Sequence, residues 1–510
     1  MAAKRTGDPQ TITVSLWERP VGILSWNPRT QTGMFWFSPD YLREPYDLAP
    51  ITHPKGTVSP AIGIPGIREP KIYQGLPPFL ADSLPDRWGN DLFDQWFADE
   101  GLHQKDKTPL TKLSFIGRRA IGALEFAPVI DSGFYDTRSV RIDALYELAK
   151  KVEQHLAGMS IEPGDPLTRK ALLTIGTSAG GRQMKAIVSI APDGTIHSGQ
   201  TTADPSFEHC IIKFNTPEHA LSETEMTYYE MAVAAGITMM PSRLIEVEGV
   251  RHFLTRRFDR RDGRKIFTQT LAAVDPDAHS YEALFRTARE LVVPKPEIDE
   301  LFRRAVFNVL ANNTDDHEKN FSFLMDQDGQ WHLSPAYDMT FIIATNGREP
   351  QLSRCLSIAG KVTDISEDDL IRLGRNNAVK DPVGIIRKVR KGISVFMDAA
   401  RRNGVDAFHI ELMARRLAEL NPDLGISVPG KEMYSFVAPD GTEVTDFRFE
   451  RSESGNIHIV ARIDGRDVKY VVTPKKALYQ KILDMGFNTM PDYEKEKMTL
   501  KYLLKSRCLP

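Results

Sequence analysis

The chain has little sulfur chemistry, almost no net charge and no long apolar run. Its three cysteines, Cys210, Cys355 and Cys508, lie far apart in 510 residues, and no two of them make a C-x-x-C or zinc-ligand spacing. That excludes a disulfide scaffold and a cysteine-based metal site, and it points to a reducing cytoplasm. No apolar stretch approaches the ~20 residues that a membrane-spanning helix needs. Residues 1–8 lead into no apolar core of a secretory signal. A formal net charge of −3 at pH 7 gives no general attraction to nucleic acid or anionic lipid. Repeats and low-complexity tracts are absent, and the phosphate-loop pattern G-x-x-x-x-G-K-S/T does not occur. What is left is ordinary globular composition, 41% hydrophobic and 26% charged, in a chain long enough for about three domains.

Against this background one stretch concentrates reactive side chains. Asn312-Asn313-Thr314-Asp315-Asp316-His317-Glu318-Lys319-Asn320 lies between two apolar runs. The run before it, 305–311, reads as a buried helix. The one after it, 321–325, reads as a strand that turns at Asp326–Gly329 and returns over 330–333. Asp315 and Asn320 stand as D-x-x-x-x-N, the interval of a protein-kinase catalytic loop. There the Asp takes the substrate hydroxyl proton and the Asn holds a metal ion. Asp338, at the end of Ser334-Pro335-Ala336-Tyr337-Asp338, falls where a second magnesium-binding Asp would lie. Mg²⁺ takes hard oxygen ligands, so this set is suitable chemistry. The alternative is local: Asp and Asn capping a turn, with His317 a core imidazole.

In chain order, residues 11–129 read as a small mixed domain. Strands are expected at 11–17 and 33–37, a turn at 19–22, and one helix from Phe79 to Glu100. This part reads as structural or partner-binding, with nothing catalytic. A helix follows at 143–155. Glycines and small residues over 172–185 then precede a strand at 186–190, where backbone N–H groups can approach phosphates; a plain β-turn is the other reading. Lys213 sits inside the apolar strand 208–214, and a buried lysine needs an anion. In a kinase that anion is an ATP phosphate; otherwise Lys213 snorkels from an edge strand. Helix 222–235 offers Glu223, Glu225 or Glu230 as its partner, with Glu225 preferred. Strands near 244–247 and 251–255 complete a sheet. The cluster Arg256-Arg257-Phe258-Asp259-Arg260-Arg261 follows at a hinge, touching phosphate or protein, or forming a salt-bridged loop. From Tyr281 the pattern is helical, including 298–310, 367–373, 382–403 and 405–420, and the basic run 387–391 is a solvated face. After Pro429 strands return, then a helical tail.

GTSAGGRQMK, IIKF, RRFDRR, NTDDHEKN and SPAYD in this order, with LPDRWG and FIGRRAIGAL upstream, resemble the HipA-type serine/threonine protein kinases, toxins of bacterial type II toxin–antitoxin pairs. The likeness spans residues 11–425. It implies an α+β, two-lobed protein kinase fold. The expected parts are an N-terminal HipA α/β subdomain at 1–130, a kinase N-lobe with the Gly-rich loop at 131–258, and an all-helical C-lobe at 259–428. A small appended α+β module at 429–510 lies beyond the usual family length. The resemblance further implies Asp315 as catalytic base, supported by His317 and Lys319, and Asn320 and Asp338 as Mg²⁺ ligands. Ser178, Ala179, Gly180, Gly181, Gln183 and Lys185 would line ATP from the Gly-rich loop, with Lys213 on its phosphates and Arg256, Arg257 and Phe258 bordering the adenine. Ser178 matches the serine that such kinases autophosphorylate, and Thr177 is an adjacent competitor. A phosphate there would add about two negative charges beside the ATP phosphates. The implied partners are a small DNA-binding antitoxin, DNA only through that antitoxin, and a protein of translation such as an aminoacyl-tRNA synthetase as substrate. Other classes stay open: a co-repressor in an antitoxin–DNA assembly with catalysis secondary, or transfer of phosphoryl or AMP to a different acceptor.

Overall fold

The computed structural model describes residues 11–69, 72–99, 106–130, 141–156, 183–198, 204–215, 221–344 and 349–428, and strands between 435 and 473. The alternation of Thr11–Leu16 (β1) turns Ile12, Val14 and Leu16 inward. β1 pairs with Arg19–Asn27 (β2), which pairs with Thr32–Phe37 (β3). Ile64–Pro65 (β4) and Leu124–Ala127 (β5) complete a sheet of order β4-β3-β2-β1-β5. The first turn is not at 19–22. It is Trp17–Glu18, both with positive φ (49° and 66°), the backbone that suits a two-residue hairpin. Pro20 stands inside β2, beside a register shift between Val14 and Ser15 that makes room for it. Gly22 serves close packing, since a Cβ there would collide with the Phe35 ring and the Trp36 carbonyl.

The single helix expected over 79–100 is two. Pro78–Ala81 (α1) ends early and Arg87–Asp99 (α2) starts only after Pro85, because proline disfavours helix in the residue before it. Asp86 caps α2, its Oδ1 accepting the Gly89 N–H at 2.6 Å. Pro109–Ile116 (α3) follows with a Thr108 capping box. Beyond Ile142–Leu156 (α4) comes a second sheet, made of Lys185–Ile190 (β6), Ile196–Ser198 (β7), Glu208–Lys213 (β8), Ser242–Val247 (β9) and Val250–Arg256 (β10). Its order is β7-β6-β8-β10-β9. α2 shares a core with this sheet: Trp88, Phe93 and Phe97 pack with Tyr146, Met184, Ile212 and Phe214. A helix from the first hundred residues thus completes the nucleus of a sheet built from residues beyond 184. Leu221–Ala234 (α5) lies between β10 and the later helices.

The expectation of an all-helical portion after residue 259 is corrected. Arg260–Arg261 (β11) and Arg264–Lys265 (β12) form a short ribbon. Phe267–Thr270 (β13) pairs with Ser322–Met325 (β14), which pairs with Trp331–Leu333 (β15). All four residues of β14 are buried, so its backbone groups require partners on both sides, and β13 supplies the second side. The helices that follow are Leu271–Val274 (α6), Tyr281–Glu290 (α7), Lys295–Leu310 (α8), Glu367–Asn376 (α9), Pro382–Ile393 (α10), Phe396–Asn403 (α11) and Ala407–Leu420 (α12); α6 packs on β13 and α8 on β15, while α10 and α11 pack on α5. Residues 382–403, expected as one helix, break between Ile393 and Phe396. Ser435–Val437 (β16), Glu443–Arg451 (β17), Ile457–Ile463 (β18) and Arg466–Val472 (β19) form an antiparallel sheet in chain order; the helical tail expected after it lies outside the described residues. Among the described residues no helix is long and apolar enough to cross a membrane.

A fully buried histidine marks the second sheet. His252 is fully buried; its Nδ1 accepts the Asn215 N–H at 3.0 Å, so the neutral ring carries its proton on Nε2. Tyr146 and Phe214 enclose it, with ring centroids at 4.5 and 5.4 Å. Burial, helped by the nearby Lys150, lowers its pKa from 6.5 to about 4. The unfolded chain therefore takes up a proton that the folded chain refuses, and stability held at neutral pH is lost as pH falls through 6.5 toward about 4. The thermal midpoint should fall across that window. In His252→Asn, whose amide oxygen can still accept from Asn215, the fall should be shallower; an unchanged slope would rule out His252 as its source.

Candidate active site

The loop after α8 is held from within. Asn312 turns the chain with φ of 52°, its side chain donating to the Gln351 carbonyl (3.0 Å) and accepting from Arg416 (3.0 Å). Asp316 is buried and receives the Tyr281 hydroxyl (2.7 Å), Arg354 Nη1 (2.8 Å) and the Cys355 N–H (3.0 Å). Asn308 bonds Tyr281 Oη and Asn313, closing the network. The neighbouring Asp315 is treated differently. Its side chain is 47% exposed, with His317 Nε2 at 3.8 Å. His317 caps the short 3-10 turn Glu318–Asn320, its Nδ1 accepting the Lys319 N–H at 3.2 Å, and the Lys319 side chain is exposed. Asn320 Nδ2 donates to the Asp315 carbonyl at 2.7 Å, so its amide oxygen is the atom that could serve a metal as a hard ligand. Burial raises the pKa of Asp315, opposed by His317 and reinforced by Asp338 and Asp316. Of the two adjacent aspartates, one anchors the loop and the other is presented.

Facing this loop is Lys213, at the end of β8. Its Nζ lies 2.6 Å from Glu225 Oε1 on α5 and also contacts Asp338 Oδ1. The lysine does not snorkel; its side chain is 12% exposed. The other two candidate partners are engaged elsewhere, Glu223 with Asn215 and Glu230 with Arg402. Burial opposes the charge on Lys213, but Asp338 and Glu225 outweigh it and raise the pKa. The carboxylates divide: burial and Asp338 push Glu225 up to about 6 despite Lys213, whereas Lys213 holds Asp338 below the usual range despite burial. Asp338 also carries positive φ, 56°, a conformation rare outside glycine and concentrated at functional positions. Its neighbour Tyr337 donates to the Lys319 carbonyl (2.7 Å) and meets Ser322 Oγ (2.6 Å). Phe258 packs on the Tyr337 ring at 5.5 Å. Asp315, Asn320, Lys213 and Asp338 therefore belong to one site, with His317 and Lys319 on its loop.

Residues 12–127 match the model of the HipA N-terminal domain, and residues 177–403 match the HipA-like C-terminal domain. The chain belongs to the HipA family. Among curated proteins it is similar to "Putative kinase Y4mE" of Sinorhizobium fredii, 25% identical over 215 residues, which are 36% of this chain and 50% of that protein. The chain thus spans half the length of that relative. Among solved structures it is similar to HipA in the Shewanella oneidensis complex of HipA, HipB and operator DNA. That likeness has a TM-score of 0.56 and 17% identity, covering 81% of this chain and 96% of the other, and it shows a shared fold. A likeness to the Helicobacter pylori proinflammatory kinase CtkA, with TM-score 0.36 and 13% identity over 48% of this chain and 89% of that one, is too distant to add to the fold.

The HipA N-terminal domain enters the site through a segment that reads as non-catalytic in the sequence. Asp86 Oδ2 lies 2.7 Å from Lys185 Nζ, and both side chains are buried. Asp82 accepts the Thr270 N–H (2.6 Å) and hydroxyl (2.8 Å); burial raises its pKa and Lys319 lowers it. The available signal was two acids flanking Pro85 in an otherwise apolar run. Gln183 Nε2 donates to the Phe214 carbonyl at 3.1 Å, while Ser178, Ala179, Gly180 and Gly181 lie outside the described residues. Arg256 is exposed at the end of β10. The Arg257 side chain is buried and paired with Asp259 at 2.8 and 2.7 Å. Asp259 also accepts the Gly122 N–H, and Arg260 donates to the Gly122 and Ala120 carbonyls. Burial works against ionising Asp259, but Arg257 and Arg260 hold its carboxyl far below the usual range. RRFDRR thus docks FIGRRAIGAL, with Arg257 and Arg260 interior and Arg256 and Arg261 exposed.

The loop anchor is testable. Asp316→Ala leaves the Arg354 guanidinium buried without its counter-charge, and breaking such a pair from one side costs about 3–5 kcal/mol. Denaturant unfolding should show that loss. A change within about 0.5 kcal/mol, typical of surface sites, would mean that the pair does not hold the loop.

Proposed function

We propose that this HipA-family chain is an Mg²⁺/ATP-dependent serine/threonine protein kinase that acts as the toxin of a toxin–antitoxin pair. The carrying observation is Lys213 held between Glu225 and Asp338, opposite a pinned loop that presents Asp315 and Asn320. A buried ammonium between two carboxylates suits an incoming phosphate, which can take the place of one of them. Among the described residues no three His, Cys, Asp or Glu side chains converge as a metal cage. The donor set of Asn320 and Asp338 instead fits Mg²⁺, which takes few protein oxygens and completes its shell with phosphate and water. Bound Mg²⁺ would neutralise charge on the transferring phosphoryl group. Asp315 would accept the proton of the substrate hydroxyl, and its raised pKa makes it a better base than an exposed aspartate. Asp316 keeps that loop from moving. Lys185 and Lys213 would meet the phosphates, Phe258 and the backbone around Arg256 and Arg257 would border the adenine, and Ser178 or Thr177 would be the self-modified residue.

The occurrence of the same fold with HipB and operator DNA in the Shewanella complex supports a small DNA-binding antitoxin as partner here, with DNA reached through it. A protein of translation, such as an aminoacyl-tRNA synthetase, is the substrate class the family resemblance favours. Intact-mass spectrometry after incubation with ATP and Mg²⁺ should show added phosphate, mapping to 177–178. In Asp315→Asn, transfer should slow by about 10²–10⁴-fold, the usual contribution of a general base, with an unchanged circular dichroism spectrum. Transfer by Asp315→Asn at the full rate would sink the assignment of the base.

A further inference from the structure

Lys185 and Lys213 are directly opposed partners on β6 and β8. In an antiparallel pair, opposed side chains leave the same face of the sheet and lie close together, and like charges in that arrangement repel. Each ammonium here is buried and each has its own counter-charge. Lys213 has Glu225 and Asp338. Lys185 has Asp86, which comes from 99 residues earlier in the chain. We propose that Asp86 is a positioning residue for the nucleotide: the HipA N-terminal domain delivers its carboxylate to hold Lys185 on the face where Lys213 meets phosphate. This rests on the kinase reading above and extends the nucleotide site into a domain with no catalytic group of its own.

The geometry around the pair is that of a fixed mount. Asp86 uses one oxygen to cap α2 through the Gly89 N–H and the other to hold Lys185 Nζ. Two residues further on, Trp88 Nε1 donates to the Lys185 carbonyl at 3.2 Å, so a single turn of chain grips both the backbone and the side chain of Lys185. Trp88 itself is buried in the core that α2 shares with the second sheet. The side chains of Lys185 and Asp86 are 1% and 9% exposed. A desolvated ion pair contributes little stability beyond what packed apolar residues would, so core packing alone does not account for a lysine at this place. Burial, with Lys213 beside it, lowers its pKa, and Asp86, with Asp338 farther off, works against that effect. An ammonium paired with a carboxylate, gripped at its backbone and set opposite a second ammonium is an arrangement for binding a polyanion.

Asp86→Asn isolates the charge, because asparagine caps a helix as well as aspartate does. Calorimetric titration of the full chain with Mg²⁺ and ATP gives the readout independently of any transfer. Wild type should bind, and Lys213→Met should bind far more weakly. Asp86→Asn should weaken binding about tenfold, the scale of one hydrogen bond to a charged group. Lys185→Met should do the same, and the double variant should be no weaker than Lys185→Met alone. Asp86→Glu, which keeps the charge one methylene away, should lose less. Absence of ATP binding by wild type, or indifference to Lys213→Met, would remove the kinase reading and this inference with it. With Lys213→Met weakened, three results would overturn the inference alone: unchanged affinity in Asp86→Asn with only a lowered melting midpoint, tighter binding, or losses in the double variant that simply add.

Discussion

A buried ammonium has to be matched by anions, and Lys213 is matched by two from different parts of the chain. Glu225 comes from α5 and Asp338 from the loop beyond β15. Strand, helix and loop are therefore registered to one another by a single charge, and none can shift without leaving a desolvated group unpaired. Two carboxylates sharing one cation cannot hold protons equally. Asp338 is held ionised, while Glu225 is pushed up to about 6. The residue that stays charged is also the one with a left-handed backbone, so electrostatic and conformational strain meet at the same position. Strain of that kind persists only where the surroundings over-determine it. Here Tyr337, bonded to Lys319 and Ser322 and covered by Phe258, supplies the surroundings.

The remaining buried charges divide the work of placement. Asp316 with Arg354, and Asp259 with Arg257 and Arg260, are enclosed by protein; the first joins segments 38 residues apart, and the second, local in itself, is bonded to Gly122 and Ala120 of the N-terminal domain. Such pairs are expensive to desolvate and weak as net stabilisers, but costly to break from one side. They resist small displacements more sharply than apolar contacts, which tolerate sliding. Asp315 stays half-exposed because the residue after it is locked away. The loop has one degree of presentation and little freedom.

The parts of this arrangement legible in the sequence are those whose spacing is local. Asp315 and Asn320 lie five residues apart on one loop, and Asp338 follows a hairpin that declares itself by a D-x-D-G turn. Lys213 shows as a charge inside an apolar strand, and the demand that creates for an anion led to Glu225 through helical proximity. Nothing local says that Asp86 meets Lys185 or that Asp82 meets Thr270, 188 residues away. Pro85 hides in a run whose apolar content argues for one continuous helix, although its backbone restriction on Leu84 makes two. β13 was missed for a related reason. Phe267–Thr270 is too short to stand as a strand, and it exists because β14 needs a partner on its open side. The arginines of RRFDRR show that basic composition does not reveal exposure, since Asp259 in their midst was enough to draw two of them inside.

These contacts bear on where the mechanical units lie. Residues 79–89 reach β6 through Asp86 and the start of α6 through Asp82, while Gln269 donates to the Phe79 carbonyl and Tyr73 to the Ala272 carbonyl. A segment of the HipA N-terminal domain is thus bonded on one side to the sheet that carries Lys213 and on the other to the sheet that follows the Asp315 loop. Any closing motion between those sheets has to bend this segment or break one of its ion or hydrogen bonds. Its two helices are separated by residues 82–86, which hold Pro85 and both aspartates, so the break in helical continuity coincides with the two attachments. The first hundred residues are then better regarded as part of the frame of the candidate site than as an appendage to it.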